Sequence, residues 1–427
     1  MRLRNLFAAA VLSMSAAPPV SACTLFKITQ AGRTLVGNHE DAWSTNARMR
    51  FVNGEQGEFG VLYFSHFNGS PLRQMRDQGG MNTAGLMFDG FSVPVTDLRP
   101  QPGKPGADVH ALVSKAMRTC STVDQVADLF LPFNLSRLNG GMWFFCDRNG
   151  NYLVVEADTL VTGSDAEYAI GNFRASQCTD PGAVPIERFQ RGRRMLAAGP
   201  DTSLAYCTTL LDSMSVCRSK LGEGTLYSYL LDLNTGSVHL FFYHDFTHRV
   251  TFNLKDELAK GDHEQEVASL FPTNPEFERL LAYKTPMHQR WLFWLLLAIG
   301  AIALVSGIAS LYRSLRWCWM KLRGRDPGYP LWSPLVAGAA SAVVIFLVPT
   351  LLMIEGVFYF GLGDALDPLH PLLRYLPIML GALCIPILIS TFQHKVDTSL
   401  IARWGRVQAG SLVAFVALLF YWDLMLM

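Results

Sequence analysis

Pro18-Pro19-Val20-Ser21-Ala22-Cys23-Thr24 is the stretch on which the reading of this chain turns. Val20 and Ala22 stand at −3 and −1 before Cys23, the small residues that a signal peptidase accepts. Upstream, Arg2 and Arg4 form a short basic region, and residues 6–17 form an apolar run too short to span a bilayer. Cleavage after Ala22 makes Cys23 the first residue of the mature chain. Val20-Ser21-Ala22-Cys23 also resembles a lipobox, and lipid on the Cys23 sulfur would destroy it as a nucleophile. One residue thus supports two opposite chemistries, and the rest of the chain has to choose.

A cysteine at a free N-terminus carries its own base. The α-amino group has a pKa near 8, so a useful fraction is unprotonated near neutrality and can take the thiol proton. Such a pair still needs a carboxylate to position the amine, and donors to stabilise the tetrahedral oxyanion. Val36-Gly37-Asn38-His39-Glu40-Asp41-Ala42-Trp43 follows the β-like run at residues 34–37 and offers Asp41. Gly79-Gly80-Met81-Asn82-Thr83-Ala84-Gly85-Leu86 is a turn with one amide side chain, and Ala169-Ile170-Gly171-Asn172-Phe173-Arg174 is another.

Taken in order, an N-terminal Cys23-Thr24, the Gly37-to-Trp43 segment, the Gly80-to-Leu86 segment, Gly171-Asn172-Phe173 and a late Thr225-Leu226-Tyr227-Ser228 strand resemble the choloylglycine hydrolase and penicillin V acylase family. These are N-terminal-nucleophile amidases that cleave linear C–N amide bonds, related also to the acid ceramidase group. The resemblance covers residues 23–245. It implies a four-layer αββα sandwich, with Cys23 as nucleophile and its own amine as base. It implies that Asp41 holds the amine or thiol, and that Asn82 (partly by backbone) and Asn172 (by side chain) line the oxyanion site. An acyl group would sit on Cys23 as a thioester until water released it. Bile salt hydrolases carry an arginine where this chain has Asn38, so bile-salt or penicillin specificity does not carry over. The family's arginine near the late strand is matched loosely by Arg218.

Read without that resemblance, Asp41, Asn82 and Asn172 are ordinary turn residues. His39 suggests a Cys–His pair or a structural imidazole, and Glu40 a solvated or salt-bridged side chain.

The domain behind Cys23, residues 23–286, is strand-rich. Short β-like runs lie at 34–37, 61–64, 142–145 and 152–155, with Asp147 to Asn151 as a hairpin turn. A second hairpin turns at Asp232 to Gly236. Residues 108–119, 122–131 and 185–198 read as helices, the second capped by Ser121 or Thr122. The residues from 99 to 106 read as a surface loop. Many strands with few helices make an α+β layered domain. Five cysteines share this domain with Cys23; Cys207 and Cys217 are the closest pair for a disulfide. No Cys-x-x-Cys or His-Glu-x-x-His pattern occurs, so no zinc site is indicated and no cofactor is called for.

The last third is different. Four apolar stretches, residues 291–312, 331–354, 375–392 and 407–426, read as an all-α bundle of about four transmembrane helices, the fourth short enough to lie in the interface instead. Pro334, Pro349, Pro377 and Pro386 predict kinks rather than breaks. Arg313, Arg316, Lys321, Arg323 and Arg325 follow the first span, and Lys395, Arg403 and Arg406 follow the third, while Asp364 and Asp367 lie between spans two and three. Positive residues prefer the cytoplasmic side. The domain before the first span is therefore expected outside, periplasmic in a bacterium, where a signal peptide would also deliver it. Trp291, Trp294, Trp317, Trp319 and Trp332 read as interfacial anchors. No span carries an ionisable residue near its centre, which argues against a pump or transporter; Glu355 and His370 lie near outer ends.

Across 427 residues, half are apolar and 17% charged, so the chain is not disordered. Lys and Arg number 36 against 35 Asp and Glu, which leaves no basic excess for nucleic acid. The expected function is a membrane-tethered extracytoplasmic cysteine amidase. Its expected partners are a small acyl-amide substrate, lipid-like in character, membrane lipid, and a further copy of the chain. Two rivals remain: an acyltransferase using the same thioester, and a non-enzymatic binding domain anchored through a lipidated Cys23.

Overall fold

The computed structural model describes residues 23–42, 45–66, 76–217, 224–366, 372–393 and 400–425. The leader, Trp43, Arg218, Asp367, His370 and Lys395 lie outside the described residues. The described residues divide into two compact units, one ending at Tyr283 and the other beginning at Lys284.

The first unit is built on fourteen strands. They are β1 (Thr24–Gln30), β2 (Arg33–Ala42), β3 (Ala47–Val52), β4 (Val61–His66), β5 (Arg76–Asn82), β6 (Met87–Ser92), β7 (Gly141–Cys146) and β8 (Tyr152–Val155). The remainder are β9 (Leu160–Gly163), β10 (Glu167–Ile170), β11 (Gly224–Asp232), β12 (Ser237–Phe242), β13 (Asp245–Asn253) and β14 (His263–Glu266). Six form one sheet in the order β10-β1-β2-β11-β12-β13; eight form the other in the order β14-β3-β4-β5-β6-β7-β8-β9. All named pairings are antiparallel.

The two sheets face one another through aromatic side chains. Phe64 of β4 stacks on Tyr229 of β11 with ring centroids 4.6 Å apart. Tyr152 of β8 stacks on Tyr168 of β10 at 4.1 Å. Helices cover the outer faces. α1 (Val109–Thr119) and α2 (Val123–Phe130) pack Val113, Met117, Val126 and Phe130 with Phe88 and Phe145 of the larger sheet. α3 (Glu187–Ala197) and α4 (Leu204–Met214) pack Leu196, Leu210 and Met214 with Phe26 and Leu230 of the smaller. The result is a four-layer αββα sandwich. Each fully buried Leu or Phe contributes about 2 kcal/mol, so two such cores hold the layers together.

The turns follow from local chemistry. Asp147 Oδ1 accepts from the backbone amides of Asn149 and Asn151, and Gly150 takes the left-handed φ of +84°. Asp232 Oδ1 does the same for Asn234 and Thr235, with Gly236 at +74°. Thr122, not Ser121, caps α2; Ser121 is bound to Gln125 instead. The sequence reading overlooked α4. Cys207 and Cys217, the pair closest in sequence, are not bridged, and none of the eight cysteines is in a disulfide. Cys207 is sealed in the core beneath α4, whereas Cys217 is exposed beside Glu276.

Two short helices, α5 (Leu254–Leu258) and α6 (Pro275–Ala282), complete this unit. The second unit is helical: α7 (Arg290–Leu322), α8 (Trp332–Met353), α9 (Val357–Leu366), α10 (Leu376–Gln393) and α11 (Leu400–Tyr421). Four of its helical stretches are long and apolar enough to cross a membrane. The fourth, expected to be short, starts earlier and runs 22 residues. Its polar groups are matched within the bundle: Trp404 Nε1 donates to Ser306 Oγ at 3.1 Å, and Gln408 Nε2 to Ser341 Oγ at 3.4 Å. Glu355, expected to be hydrated, faces the His288 Nε2 at 3.9 Å.

Candidate active site

Strand β2 sorts the candidate residues between two faces. It is buried along its whole length after Arg33, and alternate side chains point to opposite sides. Gly37, His39 and Asp41 look toward the helices: a Cβ on Gly37 would meet Leu211, His39 contacts Phe246, and Asp41 approaches Arg188. Asn38 and Glu40 look between the sheets. Asn38 Nδ2 donates to Asp89 Oδ2 of β6 at 2.7 Å, and Glu40 Oε1 lies 3.4 Å from His66 Nδ1 of β4.

Cys23 sits immediately before β1, where Thr24 is paired with His39. Its thiol is therefore on the inter-sheet side, hydrogen-bonded to Glu40, with the Asp41 backbone amide directed at the sulfur. Burial pushes the thiol's pKa well up, and the neighbouring carboxylates Glu40, Asp89 and Asp41 push it further. Glu40 and Asp89 are raised as well, by burial first, with the negative charge of neighbouring acids adding for Glu40. Two buried acids near one sulfur cannot all carry charge, so this face holds protons at neutral pH.

On the helix-facing side, Asp41 Oδ1 accepts from Thr225 Oγ1 at 2.7 Å, and its Oδ2 is 3.8 Å from Arg188 Nε. Arg188, in the first turn of α3, binds Thr24 Oγ1 through Nε and Asn172 Oδ1 through Nη2 at 3.0 Å. Asn172, just after β10, donates one Nδ2 hydrogen to the Ser92 carbonyl at 2.8 Å. An amide nitrogen has two hydrogens, and the second meets no acceptor among the described residues. Cys23, Asp41 and Asn172 are thus brought to adjoining ends of β1, β2 and β10.

Asn82 is not part of that group. Its Nδ2 donates to the carbonyls of Met117 and Cys120 at 2.9 Å each, and its Oδ1 accepts from the amides of Ala84 and Leu86 at 3.0 Å each. Its backbone amide is given to Leu86 O at 2.9 Å. No donor remains for an oxyanion: Asn82 ties the β5–β6 turn to the end of α1. His39 is likewise no partner for Cys23. Its Nδ1 binds Ser228 Oγ at 2.7 Å, and burial, then the charge of Arg188, holds its pKa down at about 3.

The sequence reading missed Arg188 and Asp89. Arg188 is one of four arginines in α3, and nothing local in the sequence sets it apart from the other three. Asp89 had a usable signal, as the lone acid in the apolar run Leu86-Met87-Phe88-Asp89-Gly90-Phe91.

Solved structures similar to this chain are those of a conjugated bile acid hydrolase and a penicillin V acylase. An arginine-to-leucine variant of conjugated bile acid hydrolase from Clostridium perfringens aligns at 15% identity and TM-score 0.44, covering 59% of this chain and 97% of that chain. Penicillin V acylase from Agrobacterium tumefaciens aligns at 14% identity and TM-score 0.41, covering 52% and 82%. A cysteine-to-alanine mutant of the Clostridium enzyme gives 16% and 0.42, with 59% and 97% covered. No family model matches the chain, and no curated protein matches it.

The protonated inter-sheet face has a measurable consequence. An acid whose folded-state pKa is raised keeps a proton that the unfolded chain releases above about pH 4. Stability therefore falls as pH rises above that point. Asp89→Asn keeps an acceptor for Asn38 and Tyr229 but removes one titrating group. Its thermal midpoint should drop less than that of the wild type between pH 5 and pH 8. An equal or larger drop would show that Asp89 is ionised in the fold.

Proposed function

We propose that this chain is a membrane-tethered, externally facing cysteine amidase that hydrolyses the linear C–N bond of an acyl amide. The observation that carries the reading is the convergence of Cys23, Asp41, Arg188 and Asn172 at the ends of three adjoining strands, behind a leader cleavage pattern that frees the Cys23 amine. In the mature chain that amine takes the thiol proton. Sulfur attacks the acyl carbon, and the second Asn172 N–H receives the developing oxyanion. The C–N bond breaks as the amine leaves with the transferred proton. Water then cleaves the S–C bond, releases the acid and restores the thiol. Asp41, oriented by Thr225 and Arg188, positions the charged amine.

The four apolar helices favour an amphipathic substrate such as an N-acyl amino acid, already concentrated at a bilayer surface. With Asn38 turned to Asp89, Arg188 supplies the cation of this site from the helix layer. Incubation of the mature full chain, in detergent, with a panel of N-acyl amino acids should release free amine and leave a transient acyl adduct on the Cys23 peptide. A stable amide with an added amine, in place of free acid, would make the enzyme a transferase. No adduct and no release across the panel would defeat the reading.

Arg188→Met keeps the packing volume but loses the bonds to Thr24 and Asn172. It is expected to lower kcat/KM roughly 10²-fold, the scale of losing one preorganised electrostatic group. Unchanged turnover would place Arg188 outside the site.

A further inference from the structure

Away from the Cys23 site, three donor side chains from distant parts of the sequence converge. Cys217 lies just beyond α4, His244 in the turn between β12 and β13, and Glu276 in the first turn of α6. One donor atom from each lies within 4.8 Å of the other two. The Glu276 Oε2 is 2.5 Å from His244 Nε2 and 3.7 Å from Cys217 Sγ. We propose that Cys217, His244 and Glu276 form a zinc site, with water as the fourth ligand.

The chemistry of the set fits zinc. One thiolate and one carboxylate balance its two positive charges, and a neutral imidazole adds a third donor. Zinc takes Cys, His and Glu donors at about 2.0–2.3 Å, which puts tetrahedral ligands roughly 3.4 Å from one another. The Cys217–Glu276 separation already meets this, and the His244–Glu276 contact has to open by about 1 Å. The cysteine is exposed and the imidazole is only 10% exposed, so the cluster has one wet side for water and one fixed side.

A second nucleophilic triad is the obvious competitor, and the geometry disfavours it. A Cys–His–Glu triad needs the thiol at one imidazole nitrogen and the acid at the other. Here the thiol and the imidazole Nε2 both address the same carboxylate oxygen, and His244 Nδ1 is buried without a hydrogen bond. All three donor atoms lie within 4.8 Å of one another, close enough to share one ion. Tyr243 and His244 also hold positive φ values of 50° and 48°, a costly pair for side-chain-bearing residues, and this places the imidazole toward Glu276.

The site would brace the strand that orients Asp41. Cys217 forms a bridge with Gly224, Val216 and Thr225 exchange hydrogen bonds, and Thr225 holds Asp41. Metal at Cys217 would restrain this chain of contacts. The test reads metal and not turnover, so it stands whatever the amidase assay shows. The full chain in detergent is stripped with a chelator, re-equilibrated with zinc chloride and freed of unbound ion. The wild type should retain one zinc per chain more than Cys217→Ser and than His244→Ala. Cobalt in place of zinc should give a thiolate-to-metal absorption band that Cys217→Ser abolishes. On the unmutated protein, zinc should slow alkylation of the Cys217 peptide by iodoacetamide at least tenfold. Equal zinc content in wild type and both variants, or alkylation indifferent to zinc, would overturn the site.

Discussion

Cys23→Ala is expected to reduce turnover of every acyl amide by about 10⁴-fold or more, the scale seen when a covalent nucleophile is removed. The fold should survive. The thiol is buried and held neutral beside Glu40 and Asp89, so its replacement by a methyl group costs one weak S–H hydrogen bond to Glu40 and leaves no unpaired charge. Export should also survive, because Ala remains acceptable after Ala22. The comparison that decides is turnover per folded molecule, with near-ultraviolet circular dichroism confirming equal packing. Turnover near wild type would remove the thioester mechanism. Cys23→Ser is the finer probe: it keeps a nucleophilic oxygen but loses the low-cost thiolate, and should retain only a trace of activity.

Asn82→Ala is expected to do the opposite: large loss of stability, little loss of chemistry. Four side-chain hydrogen bonds disappear together, and the carbonyls of Met117 and Cys120 lose their donor inside the fold. Each net bond is worth about 1 kcal/mol, and buried orphans add to that, so a loss of about 3–5 kcal/mol is expected. For a domain of this size that lowers the thermal midpoint by about 10 °C. Turnover per folded molecule at low temperature should stay within a few-fold of wild type. A hundredfold loss at an unchanged midpoint would return Asn82 to the oxyanion site. Asn172→Ala should show that second pattern, because its amide faces the site and not the core of a turn.

The contrast between these two asparagines shows what a linear sequence carries. Both sit in Gly-flanked turns, and both fit the same motif logic. What separates them is where their partners are. The carbonyls that consume Asn82 lie 35 and 38 positions away, at the end of α1. Nothing local announces them. The hairpins at 147–151 and 232–236 were legible because their hydrogen bonds close within four residues. The alternation of β2 was also written locally, yet which face met the second sheet depended on Asp89 and His66 arriving from β6 and β4.

Arg188 makes the same point for charge. α3 presents four arginines, and its helical period alone does not say which one turns inward to Thr24 and Asn172. Arg218, the position singled out from the sequence, lies outside the described residues. The Cys217–His244–Glu276 cluster escaped for a related reason. Its donors are separated by tens of residues, so no local metal motif exists to be read. The four long apolar helices are the easiest elements to see, since their signal is a continuous run and not a pattern of partners.

Amidase chemistry here requires a mature chain that begins at an unmodified Cys23. Intact mass and N-terminal peptide mass of the protein purified from membranes decide this. The expected species is a chain lacking residues 1–22, with a free amine and a free thiol on Cys23. A diacylated Cys23, or a chain that retains its leader, would remove the nucleophile and its base together and contradict the amidase.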